Sequence, residues 1–517
     1  MSSPVVTALP DETVAVAASR MNERSVGSVV VVDGDRPVGI LTERDVVRLA
    51  ASGQSTVATK VGEWMTRDPD VIPPSLSVQE ALVALDQHGY RHIPVVESGD
   101  LRGIVSMRDL MHVAAIQPVV HPGEIEAPSG LEGVIVAETQ VGDVRGLEGF
   151  YHYRQYSAVE LADKRSLEDV WFLLFEGHLP TVAESRDFAA EVRAKRAVPG
   201  AVRELLPDIA ASGGPLMDQL RSAVSLIGHT EGFRPWLDVP ADELRTNALT
   251  VCASVPTLIM SLHRLAQGLE PVDPDPELGY GANYLWMLAG QPPDDELARG
   301  VEQYQMLTID HGFNASTFTA RVITSTGADL AGAVTGGIAA LSGPLHGGAP
   351  SRALDLLDAI GSPGNARPYL VDAVTQGERI MGFGHRVYKT DDPRSVFLRG
   401  VAERIDAEKV EFAKQVEQTV VDVLAELKPG RNLYANVEFY AGVVMEHCGL
   451  PPELFSPTFA SSRVIGWCAN ILEQAADNRI IRPSARYVGP APPQPVPDAG
   501  PERLPPWSVV SGSRRPR

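Results

Sequence analysis

The sequence predicts a multidomain chain, an N-terminal α/β pair of repeats followed by a mostly α module, and three observations carry that prediction. The chain has 517 residues, whereas single domains usually hold about 50–250. The first hundred or so residues repeat themselves at an offset of 64 positions. Beyond residue 130, most apolar segments have helical period and helical length, punctuated by Gly and Pro.

The repeat is clearest where Gly39-Ile40-Leu41-Thr42-Glu43-Arg44-Asp45 returns as Gly103-Ile104-Val105-Ser106-Met107-Arg108-Asp109. Val14, Ala17, Ala18 and Met21 share one helical face, and Val78, Ala81, Leu82 and Leu85 repeat it behind a Ser77-x-x-Glu80 capping box. The β-branched runs Val29–Val32 and Ile93–Val96 predict strands. Each leads through a turn to the Gly-led strand ending at Thr42 or Ser106. A unit of helix, two strands and helix is too small to bury its apolar surface alone, so the two units, about 1–60 and 61–115, should pack together. His88 and His92 have an i, i+4 spacing, but Gly89 lies between them and His92 opens a strand, so surface or packing roles are expected.

Residues 116–130 carry Pro118, Pro122 and Pro128 and read as a linker. The helical module is expected over about 131–488. Its pattern is illustrated by Ser166-Leu167-Glu168-Asp169, which starts a helix that Gly177 and Pro180 stop. Residues 489–517, rich in Pro and Gly and ending in Arg514, Arg515 and Arg517, are expected to be a disordered tail.

Composition narrows the function. A formal net charge of −21 disfavours nucleic acid and anionic membranes, and leaves any anionic ligand to local Arg and Lys clusters. The 3 cysteines show no paired metal-type spacing, so neither a disulfide framework nor a zinc site is expected. The first residues, MSSPVVTALPDE, lack a basic segment followed by an apolar one, and the weakly polar run 331–345 is short for a membrane span. A cytoplasmic protein is the expectation.

Three histidines sit beside small residues, where a backbone can approach a ligand closely. His311 lies in DHGFNAST, ahead of a helix that its Ser and Thr can cap; His346 lies in GPLHGGA; His385 lies in GFGHRVYK, beside Arg386 and Lys389 and ahead of Asp391, Asp392, Pro393 and Arg394. Neutral imidazoles can donate to carbonyl oxygens that gain negative charge, and nearby arginines can hold dicarboxylates. That combination suits enolate chemistry.

These motifs resemble two families. The doubled Gly-x-x-[Thr/Ser]-x-x-Asp over roughly residues 1–115 resembles a CBS-domain pair. The resemblance implies that Thr42, Asp45, Ser106 and Asp109 contact the phosphate and ribose of an adenosyl nucleotide effector. The same residues can instead simply cap the helices that follow.

Downstream, GPLHGGA, GFGHRVYK, HGFNASTF, the DPR at Arg394, Ser462-Arg463, Arg482-Pro483 and a YRGY-like turn at Tyr153-Arg154-Gln155-Tyr156 resemble the citrate synthase family. The resemblance implies a large and a small helical domain, the small one over about 348–448. It also implies condensation of acetyl-CoA with oxaloacetate, no required cofactor and no metal. His346 would polarise the thioester and His385 the keto group of oxaloacetate. His311, Arg394, Arg463 and, from a neighbouring subunit, Arg482 would hold its carboxylates, so a homodimer or higher homo-oligomer is implied. Arg386 and Lys389 would meet the phosphates of CoA, or remain solvated surface charges.

Two positions depart from the family: Gln155 stands where its turn has Gly, and the position of its catalytic Asp differs. Its Asn-Val-Asp-Phe-Tyr motif reads Asn436-Val437-Glu438-Phe439-Tyr440 here, so the base is expected to be Glu438, one methylene longer. A different acyl donor, a weakened site and a structural Glu438 are the other readings. The expected reaction is citrate formation. The alternatives are a 2-methylcitrate synthase using propionyl-CoA, and a non-catalytic, nucleotide-sensing dimeric scaffold.

Overall fold

The computed structural model describes residues 5–490 and 492, apart from 78, 79, 82, 86–89, 108, 109, 111–124, 348, 349, 379, 385–387, 389 and 429–433. Asp109, His385, Arg386, Lys389, most of the 116–130 linker and nearly all of the Pro-rich tail therefore lie outside the described residues. The chain divides into two compact units, residues 1–134 with 483–517, and residues 135–482.

In the first unit, β1 (Thr7–Ala8), β2 (Ser28–Asp33), β3 (Arg36–Thr42) and β4 (Thr66–Arg67) form a sheet in that order, while β5 (His92–Glu97) and β6 (Asp100–Ser106) form a second hairpin. The duplication extends to the hydrogen-bond register. Val29 faces Leu41 as Ile93 faces Val105, and the ladder slips at Val31/Val32 and again at Val95/Val96. Ala8 pairs with Val31 in parallel, as Ile72 does with Val95. The two apolar cores match in the same way, Ala17, Met21, Val29, Val31 and Leu41 in one, Ala81, Leu85, Ile93, Val95 and Val105 in the other. Helix α1 (Val14–Arg24) buries the Val14, Ala17 and Met21 face that its spacing predicts. Helix α2 (Glu43–Ala51) starts at a full capping box, in which Thr42 and Asp45 each satisfy the other's backbone N–H.

The second unit opens with an antiparallel sheet of β7 (Gly142–Arg145), β8 (Phe150–Tyr153) and β9 (Tyr156–Ser157), and is otherwise helical. Ser166 caps the helix Leu167–Glu176, and Gly177, left-handed at φ 85, ends it. Six further helices position the site: α3 (Ala241–Ala266), α4 (Asp295–Thr308), α5 (Ala315–Ser325), α6 (Leu330–Leu341), α7 (Pro393–Ile405) and α8 (Val437–His447); a seventh, α9 (Phe455–Ala476), crosses the core. Helix α3, 26 residues long, is long and apolar enough to cross a membrane, yet 83% of its most apolar window is buried inside the protein. It packs on α9 as a core helix. Two glycines bring backbones close around α9. A Cβ on Gly466 would lie 2.0 Å from the carbonyl oxygen of Ile309, and one on Gly337 would lie 2.9 Å from the Trp467 ring.

Candidate functional site

His346 lies in the turn that follows α6, where its N–H donates to the Gly343 carbonyl and that of Gly347 to Leu341. Its ring faces the N-terminus of α5. The Ser316 hydroxyl is 2.8 Å from Nε2, and the Ser316 backbone N–H donates to the same nitrogen at 3.3 Å. A backbone N–H can only donate, so Nε2 must be the unprotonated nitrogen and Nδ1 carries the ring hydrogen. The indole N–H of Trp467 donates to Ser316 Oγ at 3.2 Å, which leaves the serine's own hydrogen to donate, with Nε2 and Asn314 Oδ1 each 2.8 Å away. Burial, reinforced by the charge of Arg463, pushes the His346 pKa down to about 4. At neutral pH it is an uncharged donor through Nδ1.

The expected capping of α5 by its Ser and Thr is corrected by the structure. Asn314 is the N-cap, its side-chain oxygen accepting from the N–H groups of Ser316 and Thr317. Ser316 thus shares its backbone N–H and its hydroxyl between Asn314 Oδ1 and His346 Nε2.

His311, Arg394, Arg463 and Glu438 are brought together by different elements. Strand β8 reaches the end of α4, where the Tyr151 hydroxyl donates to the Leu307 carbonyl and that of Tyr153 to Met306. The turn after β8 is left-handed at Arg154, φ 49, not at Gln155, which stands where the resembled turn has Gly. His311 Nε2 lies 3.0 Å from the Tyr388 hydroxyl, and the ring centroids of Tyr151 and Tyr388 are each 5.5 Å from the imidazole. The same two rings flank the Arg394 guanidinium at 5.9 Å each.

Arg394 is 3% exposed. Its Nε and Nη2 donate to the two oxygens of Asp392, at 3.0 and 2.8 Å. Burial works against its charge, but Asp392 outweighs it and holds the guanidinium protonated. Asp392 also caps α7 and accepts from the N–H of Val437 at 3.2 Å, which ties the start of α7 to the start of α8. Arg463, 1% exposed, donates from Nε to the Thr308 carbonyl at 2.8 Å and stacks on Phe459. Asp310 faces it; burial pushes that carboxyl up to about 6, with Arg463 opposing.

Glu438 is in the first turn of α8, which Asn436 caps. The residue keeps some accessible surface, while burial of its carboxyl pushes the pKa up to about 7, with Arg394 and Arg463 pulling down and Asp392 pushing up. The segment leading to His385 is anchored to the same cap. Phe383 bridges Ala435, the Asn436 N–H donates to Gly382, the Gly384 N–H donates to Tyr434, and the Asn436 side chain donates to Gly384. His385 itself, with Arg386 and Lys389, lies outside the described residues. Arg482 is exposed and forms no hydrogen bond or ion pair among the described residues.

In the first unit, a cleft of about 430 Å³ is lined by Thr42, Asp45, Arg44, Arg48, Arg67, Arg91 and His92. Thr42 and Asp45 thus face a cavity and cap α2 at once. Ser106 pairs with His92 across the second hairpin, and Asp109 lies outside the described residues.

A family model for the citrate synthase C-terminal domain matches residues 130–484, and one for the CBS domain matches 1–52 and 61–116. The chain belongs to the citrate synthase family. Its citrate synthase region is 37% identical over 365 residues to a citrate synthase of Synechocystis sp., covering 70% of this chain and 90% of that protein. It is equally 37% identical over 380 residues to a 2-methylcitrate synthase of Mycobacterium tuberculosis, covering 73% and 95%. Among solved structures, it superposes on citrate synthase from Thermoplasma acidophilum, in ternary complex with carboxymethyl coenzyme A and oxaloacetate, with a TM-score of 0.66 and 29% identity, over 72% of this chain and 99% of that one. It also superposes on the Thermotoga maritima citrate synthase with a TM-score of 0.62 and 32% identity, over 71% and 97%.

Within this citrate synthase fold, the sequence reading overlooked the supporting partners Asp392, Asp310, Tyr151, Tyr388 and Trp467. Asp392 had a signal, since an acidic residue ahead of a Pro at a helix start is a cap and stands two residues from Arg394. Trp467 had none, because only packing brings it to Ser316.

Proposed function

We propose that this chain condenses acetyl-CoA with oxaloacetate and water to give citrate and CoA, with Glu438 as base. The observation that carries this reading is a neutral His346, its Nε2 held by Ser316, together with a Glu438 carboxyl whose pKa burial raises, the charge of Arg463 acting on both. Glu438 takes the α-proton of the thioester while His346 Nδ1–H donates to the thioester oxygen, so the enolate charge forms against a preset donor. By family resemblance, His385 polarises the keto carbon that the enolate attacks, and His311, Arg394 and Arg463 hold the two carboxylates. Water then cleaves the thioester and releases CoA. Arg482, exposed in its own chain, fits the family's role as an arginine lent to the neighbouring subunit, which makes a homodimer part of the proposal.

The equal identity to a 2-methylcitrate synthase favours one second reading, propionyl-CoA as donor. One extra methyl is worth only about 1–3 kcal/mol of discrimination in an apolar pocket. Steady-state CoA release with both donors decides; a much higher kcat/KM with propionyl-CoA would replace the citrate assignment. Absence of oxaloacetate-dependent release with either donor would leave the scaffold reading.

The arginine-lined cleft of the CBS pair supports an adenosyl nucleotide as effector, its phosphates meeting arginines beside Thr42. Titrating ATP, ADP, AMP and S-adenosylmethionine while following binding and rate tests this; no binding and no kinetic effect would leave the pair as an assembly module.

A further inference from the structure

Helix α4 packs against α7, α8 and α9, the helices that carry Arg394, Glu438 and Arg463. From its last turns Tyr304 enters that junction, 1% exposed, and its hydroxyl is buried without a hydrogen-bond partner among the described residues. The Glu438 carboxyl likewise receives no hydrogen bond from the described residues; its helix-capping bond uses its backbone N–H. Buried hydroxyls are nearly always paired, so an orphan one beside a functional group calls for an explanation. Burial raises the phenol's pKa well above its ordinary value, and the next largest influence is the negative charge of Glu438. The group therefore stays protonated, a donor within reach of the Glu438 charge.

We propose that Tyr304 is a positioning residue for Glu438, its phenol O–H donating to the Glu438 carboxylate when substrate is bound. Glu438 is one methylene longer than the Asp of the resembled motif, and a longer arm has one more rotatable bond to fix. A fixed donor behind it selects the rotamer that faces the substrate and stabilises the ionised form. No proton is transferred to or from Tyr304. The inference rests on Glu438 being the base.

The experiment compares Tyr304→Phe with the wild type, in the native background and in Glu438→Asp, following CoA release across pH 5–9. Losing a donor to a carboxylate raises its pKa, so the acid limb of the kcat profile should move up by about one pH unit and kcat near neutrality should fall about tenfold. The KM for oxaloacetate should stay within about twofold. In Glu438→Asp the shorter arm withdraws from the phenol, so adding Tyr304→Phe should cost little more. An unmoved acid limb, or equal losses in both backgrounds, overturns the proposal. So does a raised oxaloacetate KM with an unchanged limb, which would make Tyr304 a direct substrate ligand. Failure of the underlying reading looks different, because Glu438→Gln would then retain kcat. Removing an unpartnered oxygen should leave the fold intact, and the Tm of Tyr304→Phe checks that.

Discussion

Ser316 presents both its hydroxyl and its backbone N–H to Nε2 of His346, at 2.8 and 3.3 Å, and so decides which imidazole nitrogen carries the hydrogen. Ser316→Ala keeps the backbone donor and loses the hydroxyl. The ring is then held by one bond instead of two, and kcat should fall by about 10-fold to 100-fold with little change in KM. Trp467→Phe, which removes only the N–H behind Ser316, should cost less. Full activity in Ser316→Ala would show that the turn alone orients the ring.

The two shifted groups give the activity a defined pH dependence. Glu438 acts as a base only when ionised, and burial in the free protein pushes its pKa up to about 7, so kcat/KM should rise with pH through that value. His346, with a pKa of about 4, stays neutral throughout and adds no limb near neutrality. A pH-rate profile that is flat from pH 5 to 8 would contradict the assignment of the base.

The same shifts bear on stability. The folded pKa of Glu438 is raised, so its contribution is present below its ordinary value of 4.5 and is lost as pH rises through about 7. His346 is depressed, so its contribution is present above 6.5 and is lost as pH falls through about 4. Thermal unfolding of Glu438→Gln against wild type should show the variant gaining relative stability between pH 5 and 8. A constant difference across that range would mean that the carboxyl is not held at a raised pKa.

Asp392→Asn should damage both fold and chemistry. It removes the charge that compensates buried Arg394 and weakens the acceptor for Val437. Breaking one partner of a buried ion pair costs about 3–5 kcal/mol, and a displaced Arg394 should raise the oxaloacetate KM. Calorimetry and saturation kinetics measure the two effects separately. Wild-type behaviour in both would remove Arg394 from the binding set.

Thr42→Ala tests the CBS cleft. The capping box on α2 is lost, at about 1 kcal/mol. If the cleft takes a nucleotide, the stabilisation that ATP, AMP or a related ligand confers in a thermal shift should also shrink. A lowered Tm with an undiminished nucleotide shift would make Thr42 a cap alone.

The sequence by itself determined the duplication, because a repeated apolar pattern dictates a repeated core. The offset that aligns Asp45 with Asp109 also aligns the ladder slips at Val31/Val32 and Val95/Val96. It also determined the helix limits set by local chemistry, such as Ser166 and Gly177, and the motifs that mark His311, His346, Arg394, Glu438 and Arg463. Tertiary structure alone decided how those groups are held. Asn314 rather than Ser316 caps α5, and the serine is shared between that cap and a histidine 30 residues away. Trp467 reaches Ser316 from a helix 151 residues further on, and Asp392 joins Arg394 to a backbone N–H at Val437. The unpartnered phenol of Tyr304 exists only where four helices meet. Capping and periodicity are local and leave marks in the sequence, whereas desolvation and long-range hydrogen bonds depend on which distant surfaces pack together, and it is these that set the charge states of His346 and Glu438.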